Sequence, residues 1–360
     1  MNSIESIIDA VYHEQRISEK AAEELYHHAP LLTLANLADH IRNKKHPDSV
    51  VTFVVDRNIN YTNICISRCK FCAFCRPLAH EEAYIISKKV LDQKIQETID
   101  LGGTQILLQG GLHPDLPFSF YLDLLTHIKK NFDIHIHGFS PPEIDHMATI
   151  AGISCLDTIK QLKNAGLDSI PGGGAEILLD QVRNHISPNK CDSKTWLSIM
   201  EIAHDIGLPT TATMMFGHIE TPTQIVKHMI RIRKLQDKTN GFTAFIPWSF
   251  QPNNTHIHLR KATAWQYLRV LALSRIVLDN IPNIQASWVT QGDKIAQLAL
   301  SFGANDLGST MIEENVVAAT GLNFLLSKDD MIRLIHTAGF KAAQRNCIYD
   351  ILASFIMDEK

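Results

Sequence analysis

Cys65-Ile66-Ser67-Arg68-Cys69-Lys70-Phe71-Cys72 follows the short apolar run at residues 51–56. That order, a strand and then a loop loaded with reactive side chains, repeats along the chain. A strand pattern at 104–109 precedes Gln109-Gly110-Gly111-Leu112-His113-Pro114, and one at 134–139 precedes Gly138-Phe139-Ser140-Pro141-Pro142-Glu143. The succession continues with 169–171 before Gly172-Gly173-Gly174-Ala175-Glu176, and with 210–216 before Gly217-His218-Ile219-Glu220-Thr221. Next come 241–247 before Trp248-Ser249-Phe250-Gln251-Pro252, then strand patterns at 284–289 and 305–308. Between them, residues 91–101, 120–130, 196–206, 225–235 and 265–278 carry apolar side chains at three- and four-residue steps, the helical period. Several of these close on a glycine, as at Gly102, Gly166 and Gly207. Eight such units predict an α/β fold, a (β/α)8 TIM-type barrel whose chemistry lies on the loops after the strand C-termini. An open doubly wound sheet uses similar units, but a count of eight favours closure.

Composition sets the outer bounds. The chain has 360 residues, 45% hydrophobic and 20% charged, as an ordinary globular protein does, and one barrel can absorb that length. A net charge of −4 gives no basic field for nucleic acid. No apolar run approaches the roughly 18 residues that span a bilayer. Met1-Asn2-Ser3-Ile4-Glu5 lacks the basic start and long apolar stretch of a secretory signal. Seven cysteines is an odd number, and four fall between positions 65 and 75, which is unlike a disulfide framework and points to a reducing cytoplasm. Cys155, Cys191 and Cys347 read as small buried hydrophobes. Residues 1–45 read as an N-terminal helical extension able to plug the barrel base, 46–310 as the barrel, and 311–360 as a C-terminal helical extension packed on it. Within the last, 311–319 and 328–338 read as helices.

The C-x3-C-x2-C spacing of Cys65, Cys69 and Cys72 supplies thiolates to three irons of a cubane cluster and leaves the fourth iron open. Two other readings stay open from spacing alone: a zinc site with Cys75 as fourth ligand, and a four-cysteine electron-transfer cluster. In Ile134-His135-Ile136-His137 a period of two sends the isoleucines toward the helices and the histidines into the barrel. His137, nearer the rim, is the candidate base, with Glu220 as the alternative. His218 beside Glu220 is placed to hydrogen-bond a substrate, and Arg183 to clamp a carboxylate in bidentate fashion. Trp248, Phe250 and Gln251 offer an aromatic wall with one amide, whereas Met214 and Met215 read as core.

The cysteine run, with aromatic Phe71 before its third cysteine, resembles the radical S-adenosylmethionine (SAM) superfamily. The resemblance implies a [4Fe–4S] cluster on Cys65, Cys69 and Cys72 whose open iron is chelated by the methionyl group of SAM. One electron then cleaves the sulfonium and gives a 5′-deoxyadenosyl radical. It also implies cofactor contacts from Phe71, the Gln109-Gly110-Gly111 turn, Ser140 and Glu176. A reduced flavodoxin- or ferredoxin-type protein would supply the electron. Cys72-Ala73-Phe74, Gln109 to Pro114, Phe139 to Ile144 and Gly217 to Thr221 are similar to the branch acting on futalosine-derived and deazaflavin-precursor substrates. Three further phrases, residues 170–177, 244–252 and 308–317, look like the dehypoxanthine futalosine cyclases of menaquinone biosynthesis. In that family hydrogen is taken from the ribose of a nucleoside–benzoate, and the carbon radical closes onto the ring as a spiro product. The sister aminofutalosine and deazaflavin-precursor synthases are the alternatives. One departure is Cys75, where the family usually has tyrosine.

Overall fold

The computed structural model describes residues 3–322 and 324–356. Met1 and Asn2, the first residues of the stretch read for a leader, lie outside it, as do Asn323 and residues 357–360. Val50–Val54 (β1) and Asp56–Asn60 (β2) make one stave interrupted at Val55. Gln105–Gln109 (β3) runs parallel to β2 in register from Asp56↔Gln105 to Asn60↔Gln109, and His135–Gly138 (β4) runs parallel to β3. The fourth stave is reduced to Ser169 and Ile170, bridged to His137 on one side and Thr210 on the other. Thr210–Phe216 (β5), Phe242–Ser249 (β6) and Asn283–Ile284 (β7) follow in parallel. Gln285 bridges to Asp306 at the start of Asp306–Ser309 (β8), and β8 pairs with β1, so the ring closes. The seventh stave is shorter than its sequence pattern. Residues Trp288–Gln291 turn into a short helix that ends at Gly292, whose φ is 79°.

Ile4–Tyr12 (α1), Glu19–His28 (α2) and Leu31–Lys45 (α3) open the chain. The outer layer is Lys88–Asp100 (α4), Phe118–Asn131 (α5), Pro141–Ala151 (α6), Cys155–Ala165 (α7), Asp180–Ile186 (α8), Ser193–Asp205 (α9), Pro222–Thr239 (α10) and Ala264–Val277 (α11). Capping boxes, Ser140 with Glu143, Thr221 with Gln224 and Thr263 with Gln266, start α6, α10 and α11, the first two within a few residues of the strands that precede them. The N-terminal helices do not plug the base. They pack on the outside of α10 and α11, tied there by Arg269 donating to the carbonyls of Tyr26 and Ala29 at 2.8 and 3.0 Å.

The base is closed instead by the C-terminus. After the helix Lys328–Thr337, the strand Lys341–Arg345 runs parallel to β1, in register from Val50↔Lys341 to Phe53↔Gln344, and Ile351–Phe355 returns antiparallel to it. The last segment is therefore a β-hairpin, not a helical extension, and residues 311–319 form loop with a single 3-10 turn at Ala318–Thr320. Arg345, the last residue of the first strand of that hairpin, reaches Asp306 at the start of β8, and Cys347, in the turn, reaches Ser169. Along each stave alternate residues face inward and outward, as pleating requires. Gln105, Leu107 and Gln109 line the interior while Ile106 and Leu108 are fully buried against helices, and His137 faces in while Ile136 faces out.

Candidate active site

The interior holds a cavity of about 290 Å³. Its wall at the mouth is Gln109, the Gly172-Gly173-Gly174 run, Trp248, Met311 and Glu314; its floor is Asp56, Gln105, His137, Arg345, Cys347 and Tyr349. The cysteine loop lies over the ends of β2 and β3. Main-chain bonds stitch it there: Ile66 N–H to Leu112 O at 2.9 Å, Gly111 N–H to Thr62 O at 3.0 Å, and Lys70 N–H to Ile186 O at 2.8 Å. A side chain at Gly111 would collide with the Ile64 carbonyl and Cys65, and one at Gly110 with the Tyr61 ring, so this glycine pair is what lets the two loops meet.

Beneath that junction Glu143 acts as a clasp. Its buried carboxylate accepts from the Tyr61 hydroxyl (2.8 Å), Gly110 N–H (2.9 Å), Ser140 N–H (2.8 Å) and the Ser140 hydroxyl (2.5 Å). Ser140 thus spends its hydroxyl on the clasp. The phrase containing Glu143 was legible as a strand end, but its role was not.

All seven cysteines are free thiols. Cys69 is buried with its sulfur 3.1 Å from the Ser67 hydroxyl, and burial pushes its thiol up to about 11; burial also raises Cys72. Cys65 is pushed down to about 6, chiefly by its hydrogen bond with Cys75, whose own thiol is pushed up by the same partnership. Cys75 turns toward the Cys65 carbonyl at 3.5 Å. Among the described residues no three His, Cys, Asp or Glu close on a single ion, as a zinc site would require. The donor set on the loop, thiols without histidine or carboxylate, is the set that iron–sulfur clusters take.

Lys190, which the sequence did not single out, extends over the Phe71 ring at 5.1 Å and bonds Glu176 at 2.7 Å. Burial works against its charge, but the neighbouring Cys69 and Glu176 outweigh it and hold it protonated; Glu176 is correspondingly held below the usual carboxylate range. A buried cation thus stands beside the cysteine loop, charge-matched to thiolates.

Four expected site residues lie elsewhere. Arg183 cannot clamp a substrate: it is 1% exposed and spends its guanidinium on the carbonyls of Gly174, Ala175 and Cys191 at 2.9, 2.6 and 2.6 Å. His218 and Glu220 do not line the barrel cavity. They pair at 3.0 Å and border a separate pocket with Tyr26 and Arg260, where Glu220 accepts from Gly217 N–H at 2.6 Å. Gln251 turns back on Ser249, its amide nitrogen 2.9 Å from the Ser249 carbonyl. His137 is different. Its Nδ1 is 2.7 Å from the Ser169 hydroxyl, which also meets His135 at 2.7 Å, and burial depresses the imidazole to about 3, so the ring is neutral.

The sequence matches the radical SAM superfamily over residues 59–232 and the CofH/MqnC C-terminal region over residues 239–355. It is 44% identical over 355 residues to a cyclic dehypoxanthine futalosine synthase of Halalkalibacterium halodurans, covering 98% of this chain and 96% of that protein. It is also 44% identical over 309 residues, 83% of this chain and 84% of that protein, to a 5-amino-6-(D-ribitylamino)uracil–L-tyrosine 4-hydroxyphenyl transferase of Methanopyrus kandleri. Among solved structures, the FeFe-hydrogenase maturase HydG of Carboxydothermus hydrogenoformans superposes with a TM-score of 0.74 at 17% identity, covering 96% of this chain and 80% of that one. Methylornithine synthase superposes at 0.68 and 16%, covering 94% and 97%. These structures bear on the fold alone.

Proposed function

The chain belongs to the radical SAM superfamily and is a radical SAM enzyme, and on that premise we propose that it converts dehypoxanthine futalosine to its cyclic spiro form in menaquinone biosynthesis. One observation carries the substrate. The three phrases that resemble the cyclases, far apart in sequence, meet on the wall of one cavity: Pro171 to Gly174 from the first, Ile246 and Trp248 from the second, and Ser309, Met311, Glu314, Val316 and Val317 from the third.

A radical SAM domain implies a [4Fe–4S] cluster and SAM. The thiols of Cys65, Cys69 and Cys72 would hold the cluster, and Phe71, Gln109, Gly110, Gly111 and Glu176 would border SAM. Once bound, these groups supply hydrogen-atom abstraction. The protein does the rest by positioning, since a substrate carbon slightly misplaced would react elsewhere. Trp248 offers an aromatic face in the cavity. As the cyclised radical regains aromaticity it gives up one proton, to His137 held by Ser169, and one electron, to a one-electron acceptor of the flavodoxin or ferredoxin class. The electron comes from a flavodoxin- or ferredoxin-type donor in the cytoplasm.

Anaerobically reconstituted, reduced enzyme given SAM and dehypoxanthine futalosine should yield 5′-deoxyadenosine and the cyclised nucleoside in equal amounts, read by liquid chromatography and mass spectrometry. The transferase relative favours a second reading, in which 5-amino-6-(D-ribitylamino)uracil and tyrosine are joined. Coupled product from that pair, with the nucleoside left unchanged, would replace the first reading by the second.

A further inference from the structure

The floor of the cavity comes from outside the barrel, from the turn between Arg345 and Ile351. Three side chains of the acidic or strongly basic type line the cavity, and each is already hydrogen-bonded within the wall. Arg345 donates to both oxygens of Asp306, at 2.5 and 2.9 Å, and to the Asn346 carbonyl at 3.0 Å. Asp56 accepts from the Ser309 hydroxyl and from Gln105 at 2.7 Å. Glu314, nearer the mouth, accepts from the amides of Val316, Val317 and Ala318 at 2.9, 2.7 and 3.0 Å. The floor therefore holds no free cation to attract a carboxylate and no free anion to attract an amine.

Tyr349 stands apart from this matched network. It lines the cavity with its ring 3.9 Å from the Arg345 guanidinium, and its hydroxyl bonds to no other described residue. Its backbone φ is 71°, a left-handed conformation that a residue with a side chain keeps only where its surroundings over-determine it. The Asn346 amide oxygen imposes it, accepting from the N–H groups of Ile348 and Asp350 at 3.0 and 2.9 Å. A neutral donor is thereby fixed at the bottom of the barrel, in the same cavity as His137.

Resting on the cyclase reading, we infer that Tyr349 is a substrate-positioning residue whose hydroxyl, presented into the cavity from its floor, hydrogen-bonds a ribose hydroxyl of the nucleoside. The C-terminal hairpin becomes part of the active site, since without it the pentose would face open solvent at the barrel base.

Titration calorimetry on the reconstituted, unreduced enzyme with SAM tests this without turnover. Tyr349→Phe keeps the ring on Arg345 and removes one oxygen, and should weaken dehypoxanthine futalosine about tenfold, the worth of one neutral hydrogen bond. The analogue lacking the ribose 2′- and 3′-hydroxyls should bind wild type and Tyr349→Phe equally. Unchanged affinity of Tyr349→Phe for the full nucleoside overturns the inference. So does a loss that persists undiminished with the dideoxy analogue, because that marks a structural role. If wild type ignores the nucleoside but binds 5-amino-6-(D-ribitylamino)uracil, the cyclase reading has failed, and the same substitution measured against that polyol decides the floor. If neither binds, both fall.

Discussion

Three thiols and one carboxylate govern the site at the scale of single residues. Cys65→Ala, Cys69→Ala and Cys72→Ala should each abolish 5′-deoxyadenosine formation, because each removes one of the thiols on a segment, residues 65–75, that holds no histidine or carboxylate. Cys75→Tyr should retain it; loss of the cluster absorption in that variant would make Cys75 a ligand. Glu143→Ala is expected to be worse than an ordinary core truncation. It orphans the Tyr61 hydroxyl, the Gly110 and Ser140 N–H groups and the Ser140 hydroxyl at once. Leaving several buried donors unsatisfied should cost at least about 3 kcal/mol. Urea denaturation measures it, and iron content after reconstitution should fall as the Gly110 turn loosens. The cysteines were legible because their spacing is itself the chemistry. Arg183 was not, since a lone arginine on a helix reads the same whether it faces a ligand or the carbonyls of Gly174 and Ala175.

Elements show where local pattern stops deciding structure. Staves such as Gln105–Gln109 and Thr210–Phe216 were readable from alternation, because one face meets helices and the other the cavity. Lys341-Ala342-Ala343-Gln344-Arg345 was not. It is built of good helix formers, yet it is a strand because Val50 to Phe53 offer it a parallel partner, and pairing overrides propensity. Residues 311–319 differ the other way: their acidic and apolar residues suggest a helix, but Glu314 accepts from its own following amides and only the single turn Ala318–Thr320 follows. The hairpin is correspondingly integral. Ending the chain at Ala338 should lower the thermal midpoint and remove hydrogen-exchange protection from Val50–Val54, whereas an accessory element would leave that strand protected. Gly111→Ala makes the complementary point at the mouth. A methyl group there meets the Ile64 carbonyl, so the cysteine loop must shift while the barrel stays folded. Cluster incorporation should fall sharply with little change in the far-ultraviolet circular dichroism.

Across the whole molecule, burial of imidazoles links stability to pH. His204 and His228 are held neutral by burial, with pKa depressed to about 4 and about 3. Unfolding returns each to about 6.5. Between those limits the unfolded chain binds more protons, so each histidine's contribution is fully present above pH 6.5 and is lost as pH falls toward its folded value. The slope is about 1.4 kcal/mol per pH unit for each group. Asp56, Glu143 and Glu314 act in the opposite sense. Burial raises their carboxyls above the ordinary range, so the folded protein binds their protons first and is steadied as pH falls. Total stability therefore mixes both signs, and the histidine part is isolated by difference. His204→Gln and His228→Gln lie outside the cavity lining, and each should flatten the stability–pH curve between about pH 5 and pH 6 by about 1.4 kcal/mol per unit, measured by urea denaturation. His204 is bonded on both ring nitrogens, to Thr239 and Thr210, whereas His228 accepts from Leu178 N–H and its Nε2 makes no hydrogen bond of good geometry among the described residues. His228→Gln should thus cost less stability at pH 7 than His204→Gln. Equal slopes in wild type and both variants would mean that water reaches these imidazoles in the folded state and that the helix layer around the barrel is looser than its packing implies.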